Sequence, residues 1–409
     1  MKKRFLSAGL AVVMAASLTA CGGSDSASTT AAAAGESKAE GESAAAGESS
    51  AAADGAVFKI GGIGPVTGGA AVYGLAVQHG AEIAVEEINA AGGINGYQIE
   101  FKFQDDEADA EKSVNAYNAL KDWGAQIIDG STTSGACIAV TDKTKEDNMF
   151  QITPSGSAVE CVQYDNNFRV CFSDPNQGLA SAQYIGENGL AEKIAVIYDS
   201  SDVYSSGIYE KFVKEAENQP FEVVAAEAFT ADNKTDFSVQ LQKAKDAGAD
   251  MVFLPIYYQE SALILTQAAA MGYAPKWFSC DGMDGILGGV DNFDVSLTEG
   301  VMLLTPFAAD ATDDLTQSFV TKYKEKYGET PNQFAADSYD AIYVIKAAIE
   351  KSGVTPDMSV SDICDGMKAA MTEITVDGLT GNGMTWTADG EANKAPKAVV
   401  IENGAYKAM

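Results

Sequence analysis

The 409-residue sequence predicts an α/β protein made of two Rossmann-like, doubly wound parallel-sheet lobes with a ligand cleft between them. Three observations support this fold class. Short runs rich in Val, Ile and Phe alternate with helical stretches, which is typical of parallel α/β sheets. A short helix-to-strand segment recurs in both halves of the chain. The part with globular composition, about 350 residues, is too long for a single hydrophobic core.

The apolar runs and the stretches between them define the predicted elements in chain order. The predicted strands are Val57–Gly64, Gln98–Gln104, Gln126–Gly130, Phe150–Pro154, Lys193–Tyr198, Glu222–Ala226, Met251–Pro255, Lys276–Ser279 and Val301–Pro306. The predicted helices are 71–91, 108–123, 134–147, 176–189, 204–218, 235–248, 259–272, 312–327 and 333–352. In the first helix, Val77, Ala81 and Ile88 share one face while Glu82 and Glu86 lie opposite, as in a helix packed on a sheet.

The repeat joins residues 121–128 to residues 245–252, at a separation of 124 positions. Each copy ends a helix on glycine and begins a buried strand, so the two halves are predicted to form similar lobes. Ligands of open α/β sheets bind beyond the carboxyl ends of the strands, and those ends would line the cleft.

The N-terminus has the pattern of a secretory signal peptide, predicted at residues 1–20. Three cations, Lys2 to Arg4, precede the apolar stretch Leu10–Leu18, which is too short to span a membrane. Small residues then precede Cys21, in a pattern that resembles the lipobox of bacterial lipoproteins. Cys21 is therefore predicted to carry the lipid, although an ordinary secreted protein with an incidental cysteine is the alternative.

Residues 21–55 are predicted to form the lipidated cysteine and a flexible linker. After Cys21 the segment is almost entirely Gly, Ser, Ala, Thr and Glu, without any aromatic residue. Such a composition buries too little apolar surface to offset the entropy of ordering the chain.

The charge of the chain argues against nucleic acid as a partner. The formal net charge of −31 becomes −34 once the three cations of the signal peptide are removed. A polyanionic surface repels both nucleic acid and anionic lipid, so contact with a membrane is predicted only through the lipid anchor.

Five cysteines follow Cys21, and none forms a CxxC pair. With His79 as the single histidine, the usual zinc constellations are excluded and no metal is predicted. A hairpin turning at residues 165–167 would bring Cys161 and Cys171 within disulfide range, although Cys137 competes for this pairing. His79 falls on the polar side of its helix and is predicted to be solvated.

The chain lacks the common catalytic and cofactor motifs. It has no G-x-S-x-G elbow, P-loop or H-E-x-x-H sequence. The glycine-rich segment 61–69 does not keep the G-x-G-x-x-G spacing, and Pro65 removes an N–H that a pyrophosphate would need. We therefore predict no cofactor and no enzymatic activity, because no nucleophile–base pair is found either.

Polar loops follow several predicted strands. In the first lobe, residues 129–135 and 153–158 are rich in hydroxyls and glycine, and a helix starting at Ser134 would add its positive dipole end. This combination favours a carboxylate or another small anion, although such residues are more often simple helix caps. In the second lobe, residues 199–204, 257–260 and 280–282 supply aromatic rings for an apolar group and an acid for an ammonium.

Residues 56–409 resemble the type I periplasmic binding proteins of the leucine/isoleucine/valine-binding group. The resemblance rests on motifs whose order and spacing agree with that family, namely Ile63–Gly68 with Ala71–Gly74, Glu87–Asn89 with Gly92–Gly96, Ile152–Ser155, and Leu379–Gly381 with Met384–Trp386. It implies a substrate-binding protein that closes on a small amino acid and delivers it to the permease of an ABC importer, on the outer face of the cytoplasmic membrane.

The resemblance also implies roles for individual residues. Ser134 and Ser157 would hold the ligand carboxylate, which Tyr257 would reach from the second lobe. The ammonium would be shared by the carbonyl of Ser155, an oxygen of Ser157 and the carboxylate of Asp281. The ligand side chain would be surrounded by Tyr73, Thr132, Thr133 and Tyr204.

Two departures from the family pattern bear on specificity. Asp281 stands where the family often has the longer Glu, and Thr132 and Thr133 make the pocket wall more polar than an aliphatic ligand requires. The same fold could instead bind an amide, a urea or an aromatic acid, or serve as a sensory receptor domain. Asp281 argues mildly against a ligand without an ammonium group.

The resemblance further implies three chain crossings, near 174, 305 and 385–397. The N-terminal lobe is then predicted to comprise 56–174 and 306–395, and the C-terminal lobe 175–305 and 396–409.

Overall fold

The computed structural model describes residues 55–409 of the chain. The predicted signal peptide, the lipidated Cys21 and nearly all of the predicted linker lie outside the described residues. No helix within 55–409 is long and apolar enough to cross a membrane.

Two sheets organise the described part of the chain. The first has the order β2-β1-β3-β4-β5 and is parallel throughout. Its strands are β1 (Val57–Gly64), β2 (Gln98–Asp105), β3 (Ile127–Asp129), β4 (Phe150–Thr153) and β5 (Asn167–Arg169). The second has the order β12-β11-β10-β9-β8-β6-β7. Its strands are β6 (Lys193–Asp199), β7 (Glu222–Phe229), β8 (Met251–Leu254), β9 (Lys276–Ser279), β10 (Met302–Thr305), β11 (Lys397–Glu402) and β12 (Ala405–Ala408).

Helices cover the sheets. They are α1 (Ala71–Ala90), α2 (Ala110–Trp123), α3 (Ser134–Asp147), α4 (Asp174–Glu187), α5 (Val203–Ala216), α6 (Ser238–Asp246), α7 (Tyr258–Ala270), α8 (Asp314–Tyr327), α9 (Gln333–Ser352) and α10 (Val360–Met371). The late helix α9 returns to the first sheet, where it packs along α1 and against β3 and β4. Gly80 allows this contact, because a Cβ there would lie only 2.0 Å from the carbonyl oxygen of Ala335.

The predicted fold class is confirmed, with one correction to the second sheet. Strands β6 to β10 are parallel, but β11 runs antiparallel to β10 and β12 antiparallel to β11. The turn between β11 and β12 is Asn403-Gly404, and both residues have positive φ, at 52° and 73°. Asn-Gly is the sequence that tight hairpin turns require, so this signal was present in the sequence and was missed.

The predicted hairpin between Cys161 and Cys171 is wrong. A short 3-10 helix, Val159–Val162, leads into β5, which lies parallel to β4 instead of folding back. Cys161 Sγ faces the Ser134 carbonyl at 3.7 Å, and Cys171 Sγ faces the Gly156 carbonyl at 3.6 Å. Both thiols are therefore free and point to different backbone groups.

His79 is half-buried, not solvated as predicted. Its ring stacks on Tyr327 with the centroids 3.6 Å apart, and Nδ1 lies 3.2 Å from the hydroxyl of Tyr323. Burial against these rings of α8 lowers the pKa of His79, because it disfavours the charged imidazolium. The histidine thus serves the packing of α1 on α8.

Candidate functional site

A pocket of about 250 Å³ lies where the polar loops of the two sheets meet. All nine residues that the sequence analysis singled out for a ligand line it: Tyr73, Thr132, Thr133, Ser134, Ser155, Ser157, Tyr204, Tyr257 and Asp281. Two further residues line it: Gly282, which belongs to the predicted polar loop 280–282, and Phe334, which was not predicted. The loops meet because parallel strands end at the same edge of a sheet, where ligands of such folds bind.

The first-sheet side of the pocket is built from hydroxyls and backbone N–H groups. Ser134 begins α3, and its Oγ accepts the N–H groups of Ser157 and Ala158, each at 3.1 Å. The hydroxyls of Ser134 and Ser157 lie 3.5 Å apart. This convergence at a helix N-terminus presents positive partial charge to the pocket and suits a small anion such as a carboxylate.

The two threonines of this wall differ in how their hydroxyls are used. Thr132 Oγ1 donates to the carbonyl of Ile63 at 3.2 Å, so it is committed to the backbone. Thr133 Oγ1 is buried without a hydrogen-bond partner, and it does not cap α3. The sequence predicted that both threonines make this wall polar. Thr133 is the one of the two whose hydroxyl is not already hydrogen-bonded.

Asp281 supplies the formal charge on the opposite side. It follows β9 at the start of a 3-10 turn, and its Oδ1 accepts the hydroxyl of Tyr204 at 2.7 Å. Gln177 accepts the N–H of Asp281 at 3.3 Å, while Gln333 donates to its carbonyl at 3.0 Å. Burial raises the pKa of Asp281 to about 7, because these hydrogen bonds only partly offset the loss of water around the charge.

Tyr73 connects the two sides of the pocket. It belongs to α1, yet its hydroxyl donates to the carbonyl of Gly282 in the loop after β9. The same hydroxyl accepts the N–H of Tyr258 at 3.3 Å, at the start of α7. The side chain is buried, so the two loops of the second sheet close directly against α1 at this point.

Aromatic rings form the remaining wall. Tyr73 packs edge-on against Tyr257 at 5.5 Å and tilts against Phe334 at 4.4 Å between ring centroids. Tyr204 stacks on Tyr257 with the centroids 5.1 Å apart. Such a wall covers an apolar group through large contact area at little conformational cost.

Two other acids near the second sheet are used elsewhere. Asp199 accepts the N–H of Ser201 at 2.8 Å and so caps a turn. Glu260 lies in the first turn of α7 and pairs with Lys234 at 3.0 Å. Asp281 is the one carboxylate among the residues that line the pocket.

Phe334 and its neighbour Gln333 escaped the sequence analysis because they come from α9, far along the chain from the polar loops. Asn332 caps this helix by accepting the N–H of Ala335 at 3.2 Å. The cap places Gln333 against the loop after β9, where its N–H donates to Asp284 at 3.0 Å. A Pro-Asn helix start was visible in the sequence, but its position beside β9 depends on the packing of α9 on α1.

Comparison with known proteins identifies the family. Residues 57–405 match the family model described as periplasmic binding protein. The chain is 31% identical over 283 residues to the Leu/Ile/Val-binding protein homolog 3 of Brucella melitensis, covering 69% of this chain and 75% of that protein. It is 30% identical over 281 residues to the leucine-, isoleucine-, valine-, threonine-, and alanine-binding protein of Pseudomonas aeruginosa, covering 67% and 73%.

Solved structures agree with these relatives. The branched-chain amino acid transporter substrate binding protein LivJ of Streptococcus pneumoniae, in complex with isoleucine, is 29% identical with a TM-score of 0.77, over 86% of this chain and 98% of that one. A solute binding protein from R. palustris in complex with benzoate has a TM-score of 0.76 over 86% and 95%, at 20% identity, and shares the fold.

The chain therefore belongs to the periplasmic binding protein family. Within that family it is a type I protein of the branched-chain amino acid group, as its relatives and structural neighbours indicate.

Proposed function

We propose that this protein is the extracytoplasmic substrate-binding component of an ABC importer and binds a neutral amino acid, branched-chain or of similar size. The observation that carries the proposal is the pairing of two unlike walls in one buried pocket. One wall offers the hydroxyls of Ser134 and Ser157 at the N-terminus of α3, and the other offers the carboxylate of Asp281. An amino-acid zwitterion presents the complementary pair of groups, an anion and a cation.

The carboxylate of the ligand is assigned to the first wall. Ser134, Ser157 and the N-terminus of α3 present hydrogen-bond donors and a positive dipole end without a formal charge in the lining. Charge-assisted hydrogen bonds of this kind are stronger than those between neutral groups. Tyr257 would approach the carboxylate from the second wall.

The ammonium of the ligand is assigned to Asp281, with the carbonyl of Ser155 and an oxygen of Ser157 as further acceptors. Burial makes the lone carboxylate of Asp281 unfavourable, as its raised pKa shows. An ammonium taken out of water has the same difficulty, and pairing the two offsets part of both penalties. Closure of the two lobes would strengthen this pair by excluding water.

The ligand side chain is assigned to the rings of Tyr73, Tyr204 and Tyr257, with Thr132 and Thr133 on the opposite side. The lining of the pocket, with hydroxyls on one side and aromatic rings on the other, suits a small amino acid. The name of the Pseudomonas aeruginosa relative includes threonine and alanine beside the branched-chain amino acids. The uncommitted hydroxyl of Thr133 is consistent with a ligand range that includes such small or polar side chains.

A screen of the mature protein by thermal unfolding tests this assignment. A ligand that binds the folded state alone stabilises it by RT ln(1 + [L]/Kd), about 2.7 kcal/mol at a hundredfold excess over Kd. We expect at least one of the neutral amino acids to raise the unfolding temperature. A screen in which all twenty amino acids are silent while an amide or an aromatic acid is active would overturn the proposal.

An aromatic acid is the second candidate, because the raised pKa of Asp281 makes a neutral carboxyl accessible near pH 7. A neutral carboxyl donates a hydrogen bond and could thus hold a carboxylate beside the aromatic wall. Benzoate and 4-hydroxybenzoate in the same screen distinguish this candidate from the first.

We further propose that the protein is held on the outer face of the cytoplasmic membrane by a lipid on Cys21, from where it delivers its ligand to the permease. Small residues before Cys21 and the linker composition after it support this anchor. A Cys21→Ser variant should move from the membrane fraction to the soluble fraction, whereas Cys364→Ser, a control within the folded region, should not. Retention of the Cys21→Ser variant in the membrane fraction would contradict the anchor.

A further inference from the structure

A buried arginine lies behind the hydroxyl wall of the pocket. Arg169 ends β5 and its side chain is fully buried. Its guanidinium donates to four successive carbonyls after β4: those of Gly156 at 3.2 Å, of Ser157, of Ala158 at 2.9 Å and of Val159 at 3.4 Å. A planar fork with five donors suits such an array, and no other side chain offers this geometry.

The arginine determines which way the peptide groups of this loop point. The N–H and C=O of a trans peptide face in opposite directions, so the carbonyls of Gly156 and Ser157 that face Arg169 turn the next N–H groups away from it. Those N–H groups belong to Ser157 and Ala158, and both meet Ser134 Oγ at 3.1 Å. Each peptide dipole therefore has its negative end on the guanidinium and its positive end on Ser134 Oγ, which lines the pocket.

The segment 386–391 holds Arg169 in place. The indole N–H of Trp386 donates to the Arg169 carbonyl at 2.8 Å, and the Arg169 N–H donates to the carbonyl of Gly390 at 3.0 Å. Glu391 approaches Arg169 Nε at 3.4 Å, but its side chain is 33% exposed. Water screens an exposed charge more than a buried one, so Glu391 only partly cancels the field of the arginine at the pocket.

We propose that Arg169 is the positioning residue of the carboxylate subsite. Without itself lining the pocket, it holds the peptide groups that join Gly156, Ser157 and Ala158 with their N–H ends on Ser134 Oγ and polarises them, so that the hydroxyl of Ser134 is oriented as a donor to the ligand. The site then distinguishes an anionic carboxylate from a neutral carbonyl through a charge that the ligand does not touch. The inference rests on the proposed function, because it requires a ligand with a carboxylate on this wall.

The test compares leucine with leucinamide, which keeps the ammonium and the side chain but lacks the anionic carboxylate. Affinities are measured by calorimetric titration for leucine and by competition for leucinamide, in the wild type, Arg169→Lys and Arg169→Met. We expect the preference for leucine over leucinamide to fall at least tenfold in Arg169→Met. The preference of Arg169→Lys should lie between those of the wild type and Arg169→Met, because lysine keeps the positive charge but lacks the planar guanidinium.

Tyr117→Phe is the matched control, since it removes a hydrogen bond to Asp147 at 2.7 Å in the same lobe and Tyr117 does not line the pocket. It should lower the unfolding temperature and leave the leucine-to-leucinamide preference within twofold of the wild type. If the preference for leucine over leucinamide is also unchanged in Arg169→Lys and Arg169→Met, the inference is overturned. Arg169 would then only stabilise the fold. If Arg169→Met does not fold, Arg169→Lys decides alone.

The proposed function is tested separately from the inference about Arg169, because the titration of the wild type tests it before any variant is made. A wild type that binds no amino acid overturns the proposed function. A wild type that binds another amino acid in place of leucine is tested with that amino acid and its amide.

Discussion

The two walls of the pocket handle charge in opposite ways. On the first-sheet wall, polar atoms bond to one another: Ser134 Oγ accepts two N–H groups, and the hydroxyl of Ser155 donates to the carbonyl of Thr132 at 2.5 Å. On the second-sheet wall, Asp281 is a buried carboxyl whose pKa is raised to about 7. Apart from the hydroxyl of Thr133, the first wall is satisfied in the absence of ligand, whereas the second carries a charge that burial disfavours.

This difference suggests how the work of binding is divided. Preorganised dipoles lose little on meeting an anion, because no group has to be brought out of water at that moment. A buried carboxyl gains only when its cation arrives. We therefore expect the second wall to control whether a zwitterion is accepted, and the first to orient it.

The largest expected effect comes from removing the charge of the second wall. Asp281→Ala should weaken amino-acid binding by about 2–5 kcal/mol, the usual penalty for stranding one member of a buried charge pair. Asp281→Asn should be milder, because its amide oxygen still accepts one hydrogen bond. Calorimetric titration of the wild type and both variants measures the difference.

Asp284→Asn is the control for this pair of variants. Asp284 is also buried in the loop after β9, and its pKa is raised to about 6, but it bonds to the N–H of Gln333 and does not line the pocket. Its replacement should leave the affinity nearly unchanged. If Asp281→Ala binds within threefold of the wild type, a gap under about 1 kcal/mol, the ammonium is held elsewhere.

A smaller loss is expected on the first wall. Ser134→Ala removes one hydroxyl, but the N–H groups of Ser157 and Ala158 then remain free to bind the carboxylate. One hydrogen bond to a charged group is worth about 1.5–3 kcal/mol, and the freed N–H groups should hold the loss at the lower end. Ser113→Ala is the control. It removes a buried hydroxyl of the same lobe that bonds to Ser131 outside the pocket, so it should lower the stability of the fold and leave the affinity unchanged.

If Ser134→Ala instead costs as much as Asp281→Ala, the two walls do not divide the work as described. The carboxylate would then depend on the serine hydroxyl itself, and the backbone N–H groups would be supports of the loop only.

The placement of the pocket residues was predictable from the sequence for a physical reason. Polar loops that follow buried strands of a parallel sheet must meet at one edge, so Ser134, Ser157 and Asp281 could be found from the alternation of strands and helices together with the family resemblance. The different hydrogen bonding of the Thr132 and Thr133 hydroxyls could not be predicted from the sequence, because it depends on which backbone carbonyl each side chain reaches.

The features that the sequence analysis missed share a dependence on distant packing or on weak local signals. Strand β5 has three residues, too few for a periodic pattern, and it carries Arg169, a residue type expected at the surface. Helix α10 lay within a stretch that had been assigned no element. The Asn403-Gly404 turn had a local signal that could have been used, and so did the start of α10, where Ser359 caps the helix by accepting the N–H of Asp362.

The smallest expected effect is a pH dependence that separates the two candidate ligands. In the free protein the pKa of Asp281 is about 7, and holding an ammonium requires its ionised form. Below pH 7 the protein must release a proton in order to bind, so affinity for the amino acid should fall up to about tenfold per pH unit, or about 1.4 kcal/mol. An aromatic acid held by the neutral carboxyl should show the opposite trend and bind more weakly as the pH rises above 7.

Asp281→Asn assigns the pH dependence to this residue. Asp202 also lies in the second lobe with its pKa raised to about 6, and Asp337, which is paired with Lys394 at 2.7 Å, titrates in the same range. If Asp281 is responsible, the variant should bind with an affinity that is flat between pH 5.5 and 8, a range that spans the pKa of about 7. Burial also raises the pKa of Asp174. A slope that survives in Asp281→Asn would move the assignment to Asp174, Asp202 or Asp337, none of which lines the pocket.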